Sequence, residues 1–380
     1  MLTLWVMEDR PFGAERPLVA AVLRAIDARR GDAPLQVHSL AWSRAWSRVR
    51  NAILEGSLPD VLEVGTTWLP ALLALGVLVP APAESPRRPR WPHVSAEERR
   101  HTVPWTWDIR FLYYSRGELG RVGMHAGDLG TMAGLEEAAR RVRDAGRREP
   151  FALSGRPEPA LVHNSAPWLW AEGGHLDVTP QRAGFAPGSP GFRGLTTLLR
   201  WAREGLIARS ALERGGVEVN DDFARGRYAF TFGPALGTAW GALGSDDTAV
   251  VPVPVASHAR TTFSGGSLLA VTRGSSDPDG AWRALASLSR DTRSALASHH
   301  AANRRLIRQA TRELGLATTM HDFVAHRLHE MPHTAAWAAV ESRLAEALSE
   351  WLARASDGHL GTFADEAEAL GLDLRRQVAL

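Results

Sequence analysis

The sequence predicts an α/β protein, and three observations carry that prediction. Short strand patterns alternate with helically spaced apolar residues from Leu2 to Val64. The 380 residues are 44% hydrophobic, enough to bury a large core divided between two domains. There is no cysteine, so neither disulfides nor thiolate metal sites stabilise the fold.

In chain order, residues 2–7 (LTLWVM) read as a first strand. Arg16 to Arg30 carry helically spaced apolar residues before a Gly31-Asp32 turn, and Leu35 to Leu40 form the second strand. Ser43 to Glu55 make a helix stopped by Gly56, and Val61 to Val64 the third strand. This alternation predicts a doubly wound parallel sheet. A Pro- and Arg-rich stretch, Pro80 to Pro92, interrupts it. Thr102 to Ser115 (TVPWTWDIRFLYYS) is expected as extended chain running from one body into another. Helices at Leu135–Ala145, Phe192–Gly205 and Val219–Arg225, with an extended run at Tyr228–Phe232, predict a second α/β body. Ala249 to Val255, broken by two prolines, suits an edge or crossing segment. Helices dominate from Gly280, the last long one running through Ala335 to Arg354.

Composition and motifs exclude several functions. Net charge is +2, and all 44 basic residues are arginine. No basic face is concentrated enough to predict nucleic-acid binding. Arg87 to Arg100 (RRPRWPHVSAEERR) reads as a solvated loop. No apolar run approaches the roughly 20 residues of a membrane helix, so no membrane insertion is expected. Met1 leads straight into LTLWV with no signal-peptide pattern, and without cysteine no lipid anchor is expected. The chain is therefore expected to be either a trimmed form or, if its start is genuine, cytoplasmic. Neither a GxSxG elbow nor a P-loop occurs. Of His321, His326, His329 and His333, the last three have helix-face spacing, but Pro332 disturbs that helix. They read as solvated or capping residues rather than metal ligands. Asp221-Asp222 read as capping charge ahead of a helix. No catalytic residue, metal or cofactor is predicted. Glu8 with Asp108 is the one carboxylate pair that could be nominated for glycoside chemistry.

Pro59 to Trp68 (PDVLEVGTTW) is the most informative stretch. Its strand ends in small, hydroxyl and aromatic residues where a parallel sheet presents ligands. Gly65, Thr66, Thr67 and Trp68 would offer backbone, hydroxyls and a flat apolar face, the mixture a sugar needs. The alternative is that Trp68 anchors the helix LPALLALGVL in the core.

Seven pieces then occur in a familiar order: LTLWVM, Glu55–Val61, VPWTWDIRFLYY, HNSAPWLWAEGG, FARGRYAFTFGPA, FSGGSLLAV and WAAVESRLAEALSEWL. Together they resemble the extracellular solute-binding proteins of bacterial ABC importers, specifically the carbohydrate-binding, maltose-binding type. The resemblance implies a two-lobed periplasmic-binding-protein fold of type II, with each lobe a discontinuous α/β domain and the ligand in the interlobe cleft. Lobe one would comprise 1–108 with 254–298, and lobe two 109–253 with 299–380. It further implies a monomer, periplasmic or extracellular, that carries a carbohydrate to membrane permease subunits without catalysis. A cytoplasmic sensor on the same fold, a binder of a polyamine or polyol phosphate, and a glycoside-processing enzyme are the alternatives.

The resemblance also implies site residues. Asp108 matches an acidic position that accepts sugar hydroxyls, against a salt bridge with Arg110. Trp105 and Trp107 share the opposite strand face, and at most one stacks on ligand. Gly265 and Gly266 match a loop whose backbone approaches ligand, and Ser267 could add its hydroxyl. Trp168 and Trp170, ahead of Gly173-Gly174, would line the second lobe. Trp240 and Trp42 follow a turn and a strand end respectively, and Glu8 and Asp9 end the first strand. Two positions depart from the pattern. Gly65 stands where many relatives carry an acid, and His299 to Arg304 replace a common Gly-x-x-Pro turn.

Overall fold

A computed structural model describes residues 1–8, 35–83, 94–146, 148–176, 184–234, 245–255, 261–315, 323 and 326–379, with backbone alone at 286–303 and 377–379. The expected helix Arg16–Arg30, together with Asp9, Trp240 and His321, lies outside the described residues. The chain divides into two compact units. Unit one is Met1–Asp108, Gly265–Ala302 and His333–Ala338, and unit two is Ile109–Ser264, Asn303–Pro332 and Ala339–Leu380.

In unit one, β1 (Leu2–Met7), β2 (Leu35–Leu40) and β3 (Val61–Gly65) are parallel and ordered β2-β1-β3. Parallel pairing needs a crossover, and after β2 this is the helix Trp42–Glu55. It ends at Gly56, whose φ of 66° lets its N–H reach Ala52 O and Ile53 O, the left-handed cap that glycine supplies without strain. The sheet is not parallel throughout. The next strand, β8 (Thr262–Val271), runs antiparallel to β3, pairing Val61 with Val271 and Gly65 with Ser267. Leu2, Leu4 and Val6 alternate on one face of β1 and pack with Val61, Trp105, Leu269, Val271 and Trp282. At the opposite end of β3, Asp60 Oδ2 accepts from Thr3 N at 2.8 Å and Thr3 Oγ1 at 2.9 Å, while Ser275 donates to Oδ1 at 2.6 Å. Burial would raise the Asp60 pKa, but these hydrogen bonds outweigh it and hold it below the ordinary value.

β4 (Thr102–Ser115) carries the chain from unit one into unit two. Within unit two it pairs antiparallel with β6 (Tyr228–Pro234) and β7 (Thr248–Pro252), and β5 (Glu149–Ala152) lies parallel to β6. A two-residue strand, β9 (Leu328–His329), pairs with Thr262 and Phe263 of β8. The core is aromatic: Trp168 meets Phe151, Trp201 and Phe232 edge-on at ring distances of 5.1 to 5.6 Å, the geometry that ring quadrupoles favour when tilted.

Several sequence expectations are corrected here. FSGGS is not a loop before a strand but part of β8. Asp221 and Asp222 do not precede a helix; they lie inside Gly216–Ala224, where Asp222 faces Arg214 and Arg225. Ala335–Arg354 is not the last long helix, because Phe363–Ala379 follows Trp337–Ser356. In the two units the return into unit one falls at Ser264/Gly265 within β8, and His333–Ala338 also belongs to unit one.

Candidate binding site

Parallel strands present their carboxyl ends on one edge. In unit one those ends are Met7-Glu8, Leu40 to Trp42 and Gly65 to Trp68. Glu8 is buried, and its backbone N–H donates to Leu40 O at 2.9 Å, which fixes the chain where it leaves β1. Trp42 opens the helix Trp42–Glu55. Four residues on, the same helix face carries Trp46, which the sequence reading missed although the i, i+4 spacing marks it. Both rings are half-buried and lean on Trp68, at centroid distances of 5.6 and 5.7 Å. Trp68 itself is 2% exposed and precedes the helix Leu69–Ala74. It is thus the buried support of the aromatic cluster, and the two partners carry the accessible surface.

Thr66 is buried, with its N–H donating to Gly266 O at 2.9 Å, and Thr67 is half-buried. Gly266 has φ +146°, a conformation that glycine alone adopts readily. Ser267 is fully buried and not open to ligand. Its hydroxyl donates to Glu63 Oε1 at 2.6 Å and lies 2.6 Å from Thr106 Oγ1. Glu63, inside the apolar run VLEVG, also accepts from Met7 N at 2.9 Å. Neither Glu63 nor Thr106 was predicted. The signal was present for Glu63, since an acid within a fully buried strand must be paired. β1 pairs with β3 only through Leu4 and Trp5. Beyond them the Glu63 side chain takes over the Met7 N–H, bridging the two strands where backbone pairing ends.

The remaining predicted residues belong to both units. Trp105 belongs to the unit-one core, 4% exposed, and its Nε1 has no hydrogen-bond partner among the described residues. Asp108 is half-buried at the end of unit one, and Gly265 is buried in β8. In unit two, Trp168 is 1% exposed within the aromatic core. Trp170 is covered by His329, ring to ring at 4.2 Å and 13°. Neither indole has a face open to ligand in this structure, because helix Pro159–Ala171 is buried from Leu161 to Trp170. Among the described residues no cluster of three metal-ligating side chains occurs, and no helix is long and apolar enough to cross a membrane.

Solved structures share this fold along nearly the whole chain. The maltose-bound MalE3 of T. maritima has a TM-score of 0.77 at 18% identity, covering 99% of both chains. An ABC transporter solute-binding protein from Thermotoga lettingae, bound with α-D-tagatose, gives 0.75 at 16%, again covering 99% of both. The GacH receptor of Streptomyces glaucescens, solved unliganded and with acarbose, gives 0.71 at 19%, covering 100% of this chain and 98% of its own. The fold is therefore that of ABC-transporter solute-binding proteins. No curated protein matches the sequence. The bacterial extracellular solute-binding protein family matches residues 24–299, and the chain belongs to that family.

Proposed function

We propose that this protein captures a sugar or oligosaccharide and delivers it to the permease subunits of an ABC importer, acting as a monomer outside the cytoplasm and without catalysing a reaction. The observation that supports this reading best is the aromatic cluster at the carboxyl ends of the parallel strands. Trp42 and Trp46 offer half-exposed indole surface beside the hydroxyl-bearing Thr66–Thr67 turn. A pyranose has apolar C–H faces and a rim of hydroxyls, so flat apolar rings next to hydrogen-bonding groups suit it. Glu8, Thr66, Thr67, Asp108 and the Gly265-Gly266 backbone are the proposed polar contacts, with Trp68 as support. Ligand binding stabilises the conformation that the permease recognises, and transport follows from that difference in affinity.

Isothermal titration calorimetry and thermal shift with maltose, D-tagatose and acarbose test the proposal, with spermidine and a polyol phosphate as controls. At a hundred times its dissociation constant a true ligand adds about 2.7 kcal/mol of stability. Binding of one sugar class supports the reading. Stabilisation by the charged controls alone would sink it.

A further inference from the structure

Glu63, Ser267 and Thr106 form a chain of hydrogen bonds leading from a buried carboxylate in β3 to a half-buried hydroxyl in β4. Both Glu63 oxygens accept, one from Met7 N at 2.9 Å and one from Ser267 Oγ at 2.6 Å. Met7 N–H and the Ser267 hydroxyl are the donors in these two contacts, and a serine hydroxyl has a single hydrogen. Ser267 has therefore committed that hydrogen to Glu63. The 2.6 Å contact between Ser267 and Thr106 must take its hydrogen from Thr106. Thr106 in turn has none left, and its remaining lone pair can only accept.

We infer that Thr106 is a specificity-determining residue: an acceptor-only hydroxyl, polarised by Glu63 through Ser267, that selects ligands presenting a hydrogen-bond donor. This rests on the sugar reading above and deepens it by naming the group recognised, a hydroxyl that donates. The position fits. Ser267 is the register partner of Gly65, and Thr66 N donates to Gly266 O, so the relay ends at the same strand ends as the tryptophan cluster. A freely rotating threonine would serve carbonyl, carboxylate or phosphate acceptors equally well. A hydroxyl whose hydrogen is held inward rejects them, because two acceptors then face each other across a site where neither finds a donor.

Glu63→Gln tests the polarity. Its amide oxygen stays on the Met7 N–H, its NH2 donates to Ser267, and both hydroxyl hydrogens reverse, so that Thr106 points a donor outward. Thr106→Val removes the hydroxyl at a half-buried strand position and keeps the β-branched shape. Titration calorimetry with maltose, D-tagatose and acarbose is expected to show Thr106→Val binding the preferred sugar about three- to tenfold more weakly than wild type. Glu63→Gln turns Thr106 into a donor that a sugar hydroxyl oxygen can still accept, so it should bind the sugar more tightly than Thr106→Val while keeping a cooperative thermal transition. Wild-type affinity in Thr106→Val would overturn the inference even if Glu63→Gln failed to fold.

Neutron diffraction of the deuterated, ligand-free protein gives an answer independent of any sugar. Deuterium on Thr106 Oγ1 directed at Ser267, and on Ser267 Oγ directed at Glu63, supports the ordered chain, and deuterium on Thr106 directed away from Ser267 refutes it. If none of the three sugars binds the wild-type protein, the sugar reading fails and takes the ligand half of this inference with it. The neutron map still decides the polarity.

Discussion

Gly266 and Thr106 approach so closely that a Cβ on the glycine would fall 2.0 Å from the threonine carbonyl oxygen. The contact is between backbones, so no rotamer change relieves it, and the φ of +146° adds strain for any other residue. Gly266→Ala must therefore push β4 and β8 apart at the point where Ser267 meets Thr106. A loss of about 3 kcal/mol or more is expected, as for other clashes in a packed interior, measured as a lower urea midpoint.

The tryptophan cluster holds one buried ring and two half-buried ones, and the proposed function gives ligand contact to the half-buried pair. Trp68 is nearly fully buried against Trp42 and Trp46, so Trp68→Ala should cost about 3 to 5 kcal/mol of stability. Trp42→Ala removes a half-buried ring and should leave the thermal midpoint within a few degrees of wild type. Its expected effect is on affinity, about tenfold or more for the sugar that binds, read by titration calorimetry. Equal effects of the two variants on stability would contradict the division of roles.

How much of this was legible can be argued from the same residues. The strand at Val61 and the place where it ends were visible because an apolar run stopped at Gly-Thr-Thr. Whether Trp68 is surface or support was not, since that depends on Trp42 and Trp46 from another element. The Gly265-Gly266 pair signalled a turn. In the structure the pair lies mid-strand, and the glycine at 266 is required by the approach of Thr106, more than a hundred residues earlier in the chain. Asp221-Asp222 looked like an N-terminal cap because the helix start at Gly216 has no side chain to announce it. Instead Glu218 reaches back to the Gly215 N–H at 2.9 Å. The placement of His333–Ala338 in unit one was invisible, as its tie joins residues 235 apart in sequence.

That tie, Glu98 to His333, predicts acid sensitivity. Burial alone would raise the Glu98 pKa, but hydrogen bonds from His333 and Ser95 and the charge on His333 outweigh it and hold it at about 2, against an ordinary 4.5. A carboxylate depressed in the folded state contributes stability fully above its unfolded pKa and loses it as pH falls through the folded value. Glu98 therefore stabilises the fold above about pH 4.5, and that contribution fades toward pH 2. Glu98→Gln should be less stable than wild type at pH 6, with the difference shrinking steadily below pH 4.5. Glu366, also held at about 2, first of all by its hydrogen bond from Arg354, keeps part of the acid dependence in the variant. Chemical denaturation at several pH values measures it, and parallel stability curves for the two proteins would reject the assignment.

In unit two the buried pair is His163 and Glu341. The imidazole Nε2 lies 2.9 Å from Glu341 Oε1, while its ring stacks on Phe263 at 4.0 Å and 13°. Two interactions thus hold one side chain in a helix with no exposed residue between Leu161 and Trp170. Substitutions at 341 separate them, because the stack does not involve that residue. Glu341→Gln retains an oxygen that can accept from Nε2 and should cost at most about 1 kcal/mol. Glu341→Leu has the size but no acceptor, leaving a buried imidazole N–H without this partner, and should cost about 2 to 3 kcal/mol. The ordering of the two variants in urea unfolding, rather than either value alone, identifies the hydrogen bond as the stabilising element. If leucine were tolerated as well as glutamine, stacking on Phe263 would be sufficient to hold His163 in place.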